Sequence, residues 1–397
     1  MIVGVAVESH PDECRVALVP SLLAPLIQAG LQVLVEPAAG VKAGFADAAY
    51  EERGGRLAKD RGQLFRSADV ILQVHGLDAR SAAGHIDIEL THPGQVLVGL
   101  LNPWGAPEAA LHLAEKGVTT FALELLPRIS RAQPMDALTA MATVTGYKAV
   151  LVASGRLHKM FPMMITAAGT ITPARVFVVG AGVAGLHAIA TAHRLGAVVG
   201  AYDIRPAVKE QVESLGAKFL ELDLEVESAE GSGGYARPMG EDFYRRQKEM
   251  LTRAVATSDV VIATAAVPGK KAPMLIGEEA VRQMRPGSVI VDLAAETGGN
   301  CELTRVGETL QAHGVTIMGP TNLASTVPCH ASQMYAGNVT AFLLNLVQEG
   351  SLHLNMDDQI VRDTLVTHGG EVVNERVRRL LGRTGAPSSV KNERSSS

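Results

Sequence analysis

The residues of this chain whose spacing points first to chemistry are Gly180, Gly182 and Gly185, a G-x-G-x-x-G series, and Asp203, 21 positions after the middle glycine. In such a series the first glycine makes a tight turn, the second lets backbone approach a pyrophosphate, and the third lets a helix pack closely on a strand. A phosphate held there sits on the helix N-terminus, where N–H groups and helix dipole both favour an anion. Asp203 is placed to accept from an adenosine ribose diol and faces a 2′-phosphate as a like charge, which favours NAD(H); Arg205, close behind it, leaves open a compensating contact with that phosphate. The competing reading is a glycine-tight turn that binds nothing.

The flanking sequence supplies the elements such a site needs. Val176–Val179 is a β-branched and aromatic run, the composition of a buried parallel strand. Val183–Leu195 is helix-compatible and stops at Gly196, and Val198–Tyr202 is a second apolar strand that Asp203 ends.

At 397 residues, 47% of them hydrophobic, the chain is long enough for two ordinary domains and apolar enough to fill both. A formal net charge of −5 without basic blocks argues against nucleic acid as a partner. Cys14, Cys301 and Cys329 are too scattered for a disulfide framework or a metal pattern and read as small buried hydrophobes in a reducing compartment. His10, His75, His92 and His330 lack metal spacing and read as surface or hydrogen-bonded residues, and Met160, Met163 and Met164 as core packing, so no metal is expected. The opening MIVGVAVESH has no basic n-region, and no uninterrupted apolar stretch reaches the ~18 residues of a membrane span. The expectation is a soluble, cytoplasmic chain without direct membrane insertion.

Strands are expected at Ile2–Ala6, Gln32–Glu36, Val70–Gln73, Val96–Leu100 and Thr119–Ala122, alternating with helices at Ser21–Ala29, around Asp47–Gly54 and at Glu108–Lys116. Glu8–Arg15 reads as a polar loop at the carboxyl end of the first strand, where open α/β sheets place ligands. A helix over Ala137–Lys159 leads to the glycine unit, whose further strands are Lys218–Leu220, Val260–Ala263, Ser288–Asp292 and Val315–Met318. Ala331–Gln348 and Asp357–Leu365 then read as helices returning to the first domain. Ser67–Leu72 with His92–Val98 is similar to Thr257–Ile262 with Arg285–Val291, a weak internal repeat in which only the second copy carries the glycines. The expected fold is therefore α/β, with two Rossmann-like doubly wound parallel-sheet domains linked by two helices. The first domain takes residues 1–136 plus 328–382, the cofactor domain 137–327 is inserted in it, and 383–397 form a disordered tail.

Arg128–Thr139, reading RISRAQPMDALT, gathers Arg, Gln, Asp and Thr at the expected domain junction, a usual place for a ligand cleft. It is equally a helix start with Asp136 as its cap and two solvated arginines.

PRISRAQPMDAL, GAGVAG with its YDIR strand end, GGYARPMGEDF, VPGKKAP and GSVIVDLAAETGGNC together closely resemble the NAD(H)-binding component of proton-translocating nicotinamide nucleotide transhydrogenase, over Val3 to about Leu346. The resemblance implies that Arg128, Gln133, Asp136 and Thr139 contact the nicotinamide, its carboxamide and its ribose. It implies cofactor contacts from Ile129, Met135, Gly180, Gly182, Val183, Gly185, Asp203, Ile204, Arg205, Gly234, Tyr235 and Ala266. Gly231–Phe243 resembles a mobile loop that closes over nucleotide, a role suited to a glycine-rich stretch with one aromatic. Pro134 stands where the family has a small residue and Thr139 where it has Ser; Thr keeps the hydroxyl but stiffens χ1. The resemblance further implies a homodimer, a partner component holding NADP(H), and membrane proton-channel subunits on whose cytoplasmic face the chain docks.

The same superfamily includes alanine dehydrogenase, which holds its oxo acid with an Arg, a Lys and a His in the first domain and has an Asp in the cofactor domain. Arg15 matches the Arg, whereas Gln73–His75 holds no Lys, Leu97–Asn102 holds no His, and Glu296 stands where the Asp belongs. Reducing an imino acid requires a proton donor and a carboxylate anchor. Hydride transfer between two nicotinamides requires neither and depends on holding the rings close and in line. Transhydrogenase chemistry is therefore the reading, with an NAD-dependent amino-acid dehydrogenase as the alternative.

Overall fold

Valine, isoleucine and leucine runs too apolar for a solvated face become strands buried on both sides. In the computed structural model, which describes residues 1–76, 82–221, 240–267 and 269–383, such strands centre two sheets. The chain divides into two compact units, Met1–Met141 with Ser325–Ser397, and Ala142–Ala324.

The first unit holds an eight-stranded sheet in the order Glu371–Val372, Leu365–His368, Thr119–Ala122, Val96–Leu100, Val70–His75, Ile2–Val5, Gln32–Val35, Arg56–Leu57. Strands from Arg56–Leu57 to Thr119–Ala122 are parallel, Leu365–His368 is antiparallel to Thr119–Ala122, and Glu371–Val372 is antiparallel to Leu365–His368. Strand order reverses between Ile2–Val5 and Val70–His75, which opens a crevice at their carboxyl ends.

The second unit holds seven strands in the order Lys218–Phe219, Val198–Tyr202, Arg175–Val179, Val260–Ala263, Val289–Asp292, Val315–Met318, Thr309–Ala312. All are parallel except Thr309–Ala312. Alternate residues feed opposite faces: Val176, Val178, Val260 and Ile262 pack with Ile189 and Ala192 on one side. Phe177, Val179, Val261 and Ile290 pack with Leu251 and Val255 on the other. The order reverses between Arg175–Val179 and Val260–Ala263, immediately before the glycine turn.

The α/β, parallel-dominated, Rossmann-like character is as expected, with three departures. The antiparallel edge strands were not foreseen, and Leu365, expected to end a helix, begins a strand after the helix Gln359–Thr364. Their hairpins turn on His313-Gly314 and Gly369-Gly370, each pair at positive φ, a tight-turn signal carried by two residues against strands of two to four. An unforeseen helix, Glu241–Ala256, begins inside the stretch expected as a loop and buries Phe243, Leu251 and Val255. Residues 231–239, with Gly234 and Tyr235, lie outside the described residues, as does the expected tail beyond Arg383. Met160, Met163 and Met164 are 46%, 59% and 39% exposed rather than core, and Cys329 is exposed rather than buried. Met160 and Met163 precede, and Met164 begins, a separate two-stranded antiparallel ribbon, Met164–Thr166 with Gly169–Ile171.

Ala137–Arg156 crosses the first division between the units, while the return is the short turn Leu323–Thr326 and the helix Pro328–Leu346 lies wholly in the first unit. Among the described residues Ala137–Arg156 alone is long and apolar enough to cross a membrane, a length and composition that core helices also reach.

Candidate functional site

In the second unit the glycine turn is built by exclusion. Gly180 has φ +96°, and a Cβ there would lie 2.7 Å from Thr264 Oγ1, whose hydroxyl donates to the Gly180 carbonyl at 2.9 Å. A Cβ on Gly185 would run into the Gly180 carbonyl oxygen. Gly182 differs, since a Cβ there meets nothing within 4 Å. Gly182 is also the N-cap of the helix Val183–Arg194, with no side chain capping it, so first-turn N–H groups are left for a ligand. Tight packing behind and open space in front form a cradle that fits a dinucleotide pyrophosphate.

Asp203 closes one side. Its carboxylate accepts from Ala181 N–H at 2.7 Å and Arg205 N–H at 2.9 Å, and the Arg205 guanidinium reaches both of its oxygens at 2.9 Å. Val183 is exposed at the head of the helix and Ile204 is half-buried. On the other side of the strand reversal, Ala266 is exposed on the loop after Val260–Ala263. That loop is fixed by a residue the sequence reading did not single out: Asn300, fully buried, accepts from Ala265 N–H at 2.9 Å and donates to the Ala265 and Pro273 carbonyls, each at 2.8 Å. Asn300 is held in turn by Asp292, also fully buried, through its N–H at 2.7 Å. The available signal was an acid ending an apolar strand, followed by Gly-Gly-Asn.

The remaining candidates belong to the first unit. Ser130–Met135 is a single tight helical stretch containing Pro134; Ala132 and Met135 are buried, Ile129 is half-buried, and Arg128, Gln133 and Thr139 are exposed. Asp136 is a helix cap, accepting the Thr139 N–H at 2.9 Å and its hydroxyl at 2.6 Å. Asn338 donates to the Pro134 carbonyl at 2.8 Å, and Arg131 pairs with Asp358, so one of the two expected solvated arginines is a structural anchor. The carboxylate and hydroxyl thus have one defined geometry at the start of Ala137–Arg156.

Glu8–Arg15, read as a polar loop, is a loop, but Glu8, Glu13 and Arg15 in it are buried while Asp12 is exposed. Glu8 accepts from Val74 and His75 N–H at 2.6 and 3.0 Å, and Arg15 grips Glu13 at 2.7 and 2.6 Å, with His75 Nε2 3.1 Å from Glu13. Burial would raise the Glu13 pKa, but Arg15 and His75 hold it well below the carboxylate range; burial would lower His75, but its bond to Glu13 raises it. For Glu8, burial and then the Glu13 charge push the pKa up to about 7. A carboxyl that holds its proton more tightly when folded stabilises below its unfolded value of 4.5, and this contribution is lost as pH rises towards 7. Glu8→Gln is therefore expected to gain about 3 kcal/mol on the parent between pH 5 and 8, read by urea unfolding at each pH; parallel curves would show an ordinary Glu8. Within Gln73–His75, which holds no Lys, Gln73 is fully buried with neither side-chain amide atom hydrogen-bonded, and Glu296 is exposed.

Sheet order, glycine cradle and strand-end carboxylate define a dinucleotide-binding α/β protein. The chain belongs to the alanine dehydrogenase/PNT family: the N-terminal domain of that family matches residues 4–145 and the C-terminal domain residues 149–375. It is 44% identical to an NAD(P) transhydrogenase subunit alpha polypeptide of Rhodospirillum rubrum over 377 residues, 94% of this chain and 98% of that one. Alanine dehydrogenase of Bacillus subtilis is 30% identical over 397 residues, 98% of this chain and 97% of that one. The crystal structure of transhydrogenase from Sinorhizobium meliloti superposes with a TM-score of 0.82 at 40% identity, covering 94% of this chain and 99% of that one.

Proposed function

We propose that this chain is the NAD(H)-binding component of a proton-translocating transhydrogenase and passes hydride directly between NADH and NADP⁺ held by a partner component. The observation that carries this reading is a dinucleotide cradle combined with a first-sheet crevice in which Gln73–His75 holds no Lys. NAD(H) supplies the hydride, and no side chain has to give or take a proton. Gly182 and the N–H groups after it hold the pyrophosphate, Asp203 the adenosine ribose, and Ala266 lines the nucleotide. Arg128, Gln133, Asp136 and Thr139, with Ile129 and Met135, orient the nicotinamide; the role of the glycine-rich stretch with Gly234 and Tyr235 is closure over it.

The working assembly is a homodimer of this chain with an NADP(H)-binding component and membrane proton-channel subunits, peripheral on the cytoplasmic face. Support for association comes from the ribbon bearing exposed Met163, Met164, Ile165 and Ile171, which has no charged residue between Met160 and Ala174.

Fluorescence titration is expected to show NADH binding and little NADPH binding. The isolated chain should reduce no NAD⁺ with L-alanine; alanine-dependent reduction would favour the dehydrogenase alternative. Gln133→Ala and Asp136→Ala should slow hydride exchange with the partner component more than they weaken NADH binding. Asp136→Ala should also lose about 1 kcal/mol of stability with its cap. Equal losses of rate and affinity would make both residues simple binding contacts.

A further inference from the structure

Asp203 accepts four hydrogen bonds from its own chain, two on each oxygen. A carboxylate offers about four lone-pair sites, so this one is filled. The Ala181 and Arg205 N–H donors are fixed by the turn. The other two donors belong to the Arg205 guanidinium, a flexible arm whose side chain is 21% exposed against 7% for Asp203. A ribose diol that binds Asp203 must therefore take the place of the guanidinium.

We infer that Arg205 is a specificity-determining residue, a displaceable internal ligand of Asp203 that is kept from serving a 2′-phosphate by the carboxylate that holds it. This rests on the reading of Asp203 as the ribose contact. A diol donates to the carboxylate and lets the guanidinium swing to solvent. A 2′-phosphate could use the guanidinium only by stripping it from Asp203, which leaves a mostly buried carboxylate uncompensated beside a second anion. Removing the Asp203 charge while keeping its shape removes that penalty and frees a planar fork suited to bidentate phosphate binding.

The test measures dissociation constants for NADH and NADPH on the full chain at one ionic strength, with Asp203→Asn, Arg205→Ala and the double variant. Asp203→Asn is expected to weaken NADH about tenfold or more and to tighten NADPH about tenfold, the scale of one charge-assisted bond. The double variant should lose the NADPH gain. Arg205→Ala leaves Asp203 uncompensated before a 2′-phosphate and should weaken NADPH further, a readout independent of how well Asp203→Asn folds; unchanged NADPH affinity in this variant would overturn the inference. No NADPH gain in Asp203→Asn despite weakened NADH, or a gain that survives in the double variant, overturns the inference alone. Unchanged NADH affinity in Asp203→Asn overturns the ribose reading and the inference with it.

Discussion

Gly185→Ala is expected to abolish NADH binding and to destabilise the chain by about 3 kcal/mol or more, the upper range for an overpacked site. The added methyl is directed at the Gly180 carbonyl oxygen, with Thr264 Oγ1 3.2 Å away on the same side. Backbone oxygen cannot turn aside as a side chain can, and Gly180, at φ +96°, is itself tied by its N–H to the Tyr202 carbonyl at 2.7 Å. Relief requires Val183–Arg194 to lift from the sheet, which carries the first-turn N–H groups away from the pyrophosphate. Gly182→Ala makes the contrast, since its Cβ meets nothing within 4 Å. Its stability should stay within about 0.5 kcal/mol of the parent, as for an unhindered surface change, while the methyl occupies ligand space and NADH binding is lost. Urea unfolding and NADH fluorescence check both variants. Gly185→Ala with parental stability and affinity would show that the close packing is not required.

Asp292→Ala should be comparably damaging for a different reason. This carboxylate accepts from Ala294 N–H at 3.0 Å, Asn300 N–H at 2.7 Å, Cys301 N–H at 2.9 Å and the Thr304 hydroxyl at 2.7 Å. Truncation leaves three buried N–H groups and the half-buried Thr304 hydroxyl without an acceptor, at about 1–3 kcal/mol for each buried one before relaxation, so a net loss of roughly 4 kcal/mol is expected. Because Asn300 then loses its own anchor, the Ala265–Ala266 backbone loosens and NADH affinity falls along with stability. Near-parental unfolding would mean that the network does not hold the loop.

The sheet cores were legible because parallel strands announce themselves as apolar runs: Val96–Leu100, Thr119–Ala122, Val198–Tyr202, Val260–Ala263 and Val315–Met318 have the limits read from sequence. The glycine series was legible because only a residue without Cβ can occupy positions such as 180 and 185. Glu241–Ala256 escaped because its polar face dominates EDFYRRQKEM and a glycine-rich stretch leads into it. The Glu8, Glu13, Arg15 and His75 cluster escaped because Glu8, Glu13 and Arg15 in a loop read as solvated. What buries them is contact between this loop and the strand Val70–His75, some 60 positions on, with Arg15 Nη2 3.3 Å from His75 Nε2. Asn300 escaped for the same reason, since its amide acts on a loop 35 positions away.

On the proposed function, this chain delivers hydride from NADH to a nicotinamide on another polypeptide. That step is observed by following deuterium from NADH labelled at nicotinamide C4 into NADPH, with NADP⁺ and the NADP(H)-binding component mixed with this chain. The reaction, NADH plus NADP⁺ giving NAD⁺ plus NADPH, should place the label in NADPH without dilution by solvent, and only when both proteins are present. NADH binding with no label in NADPH, or label lost to water, would rule out direct transfer.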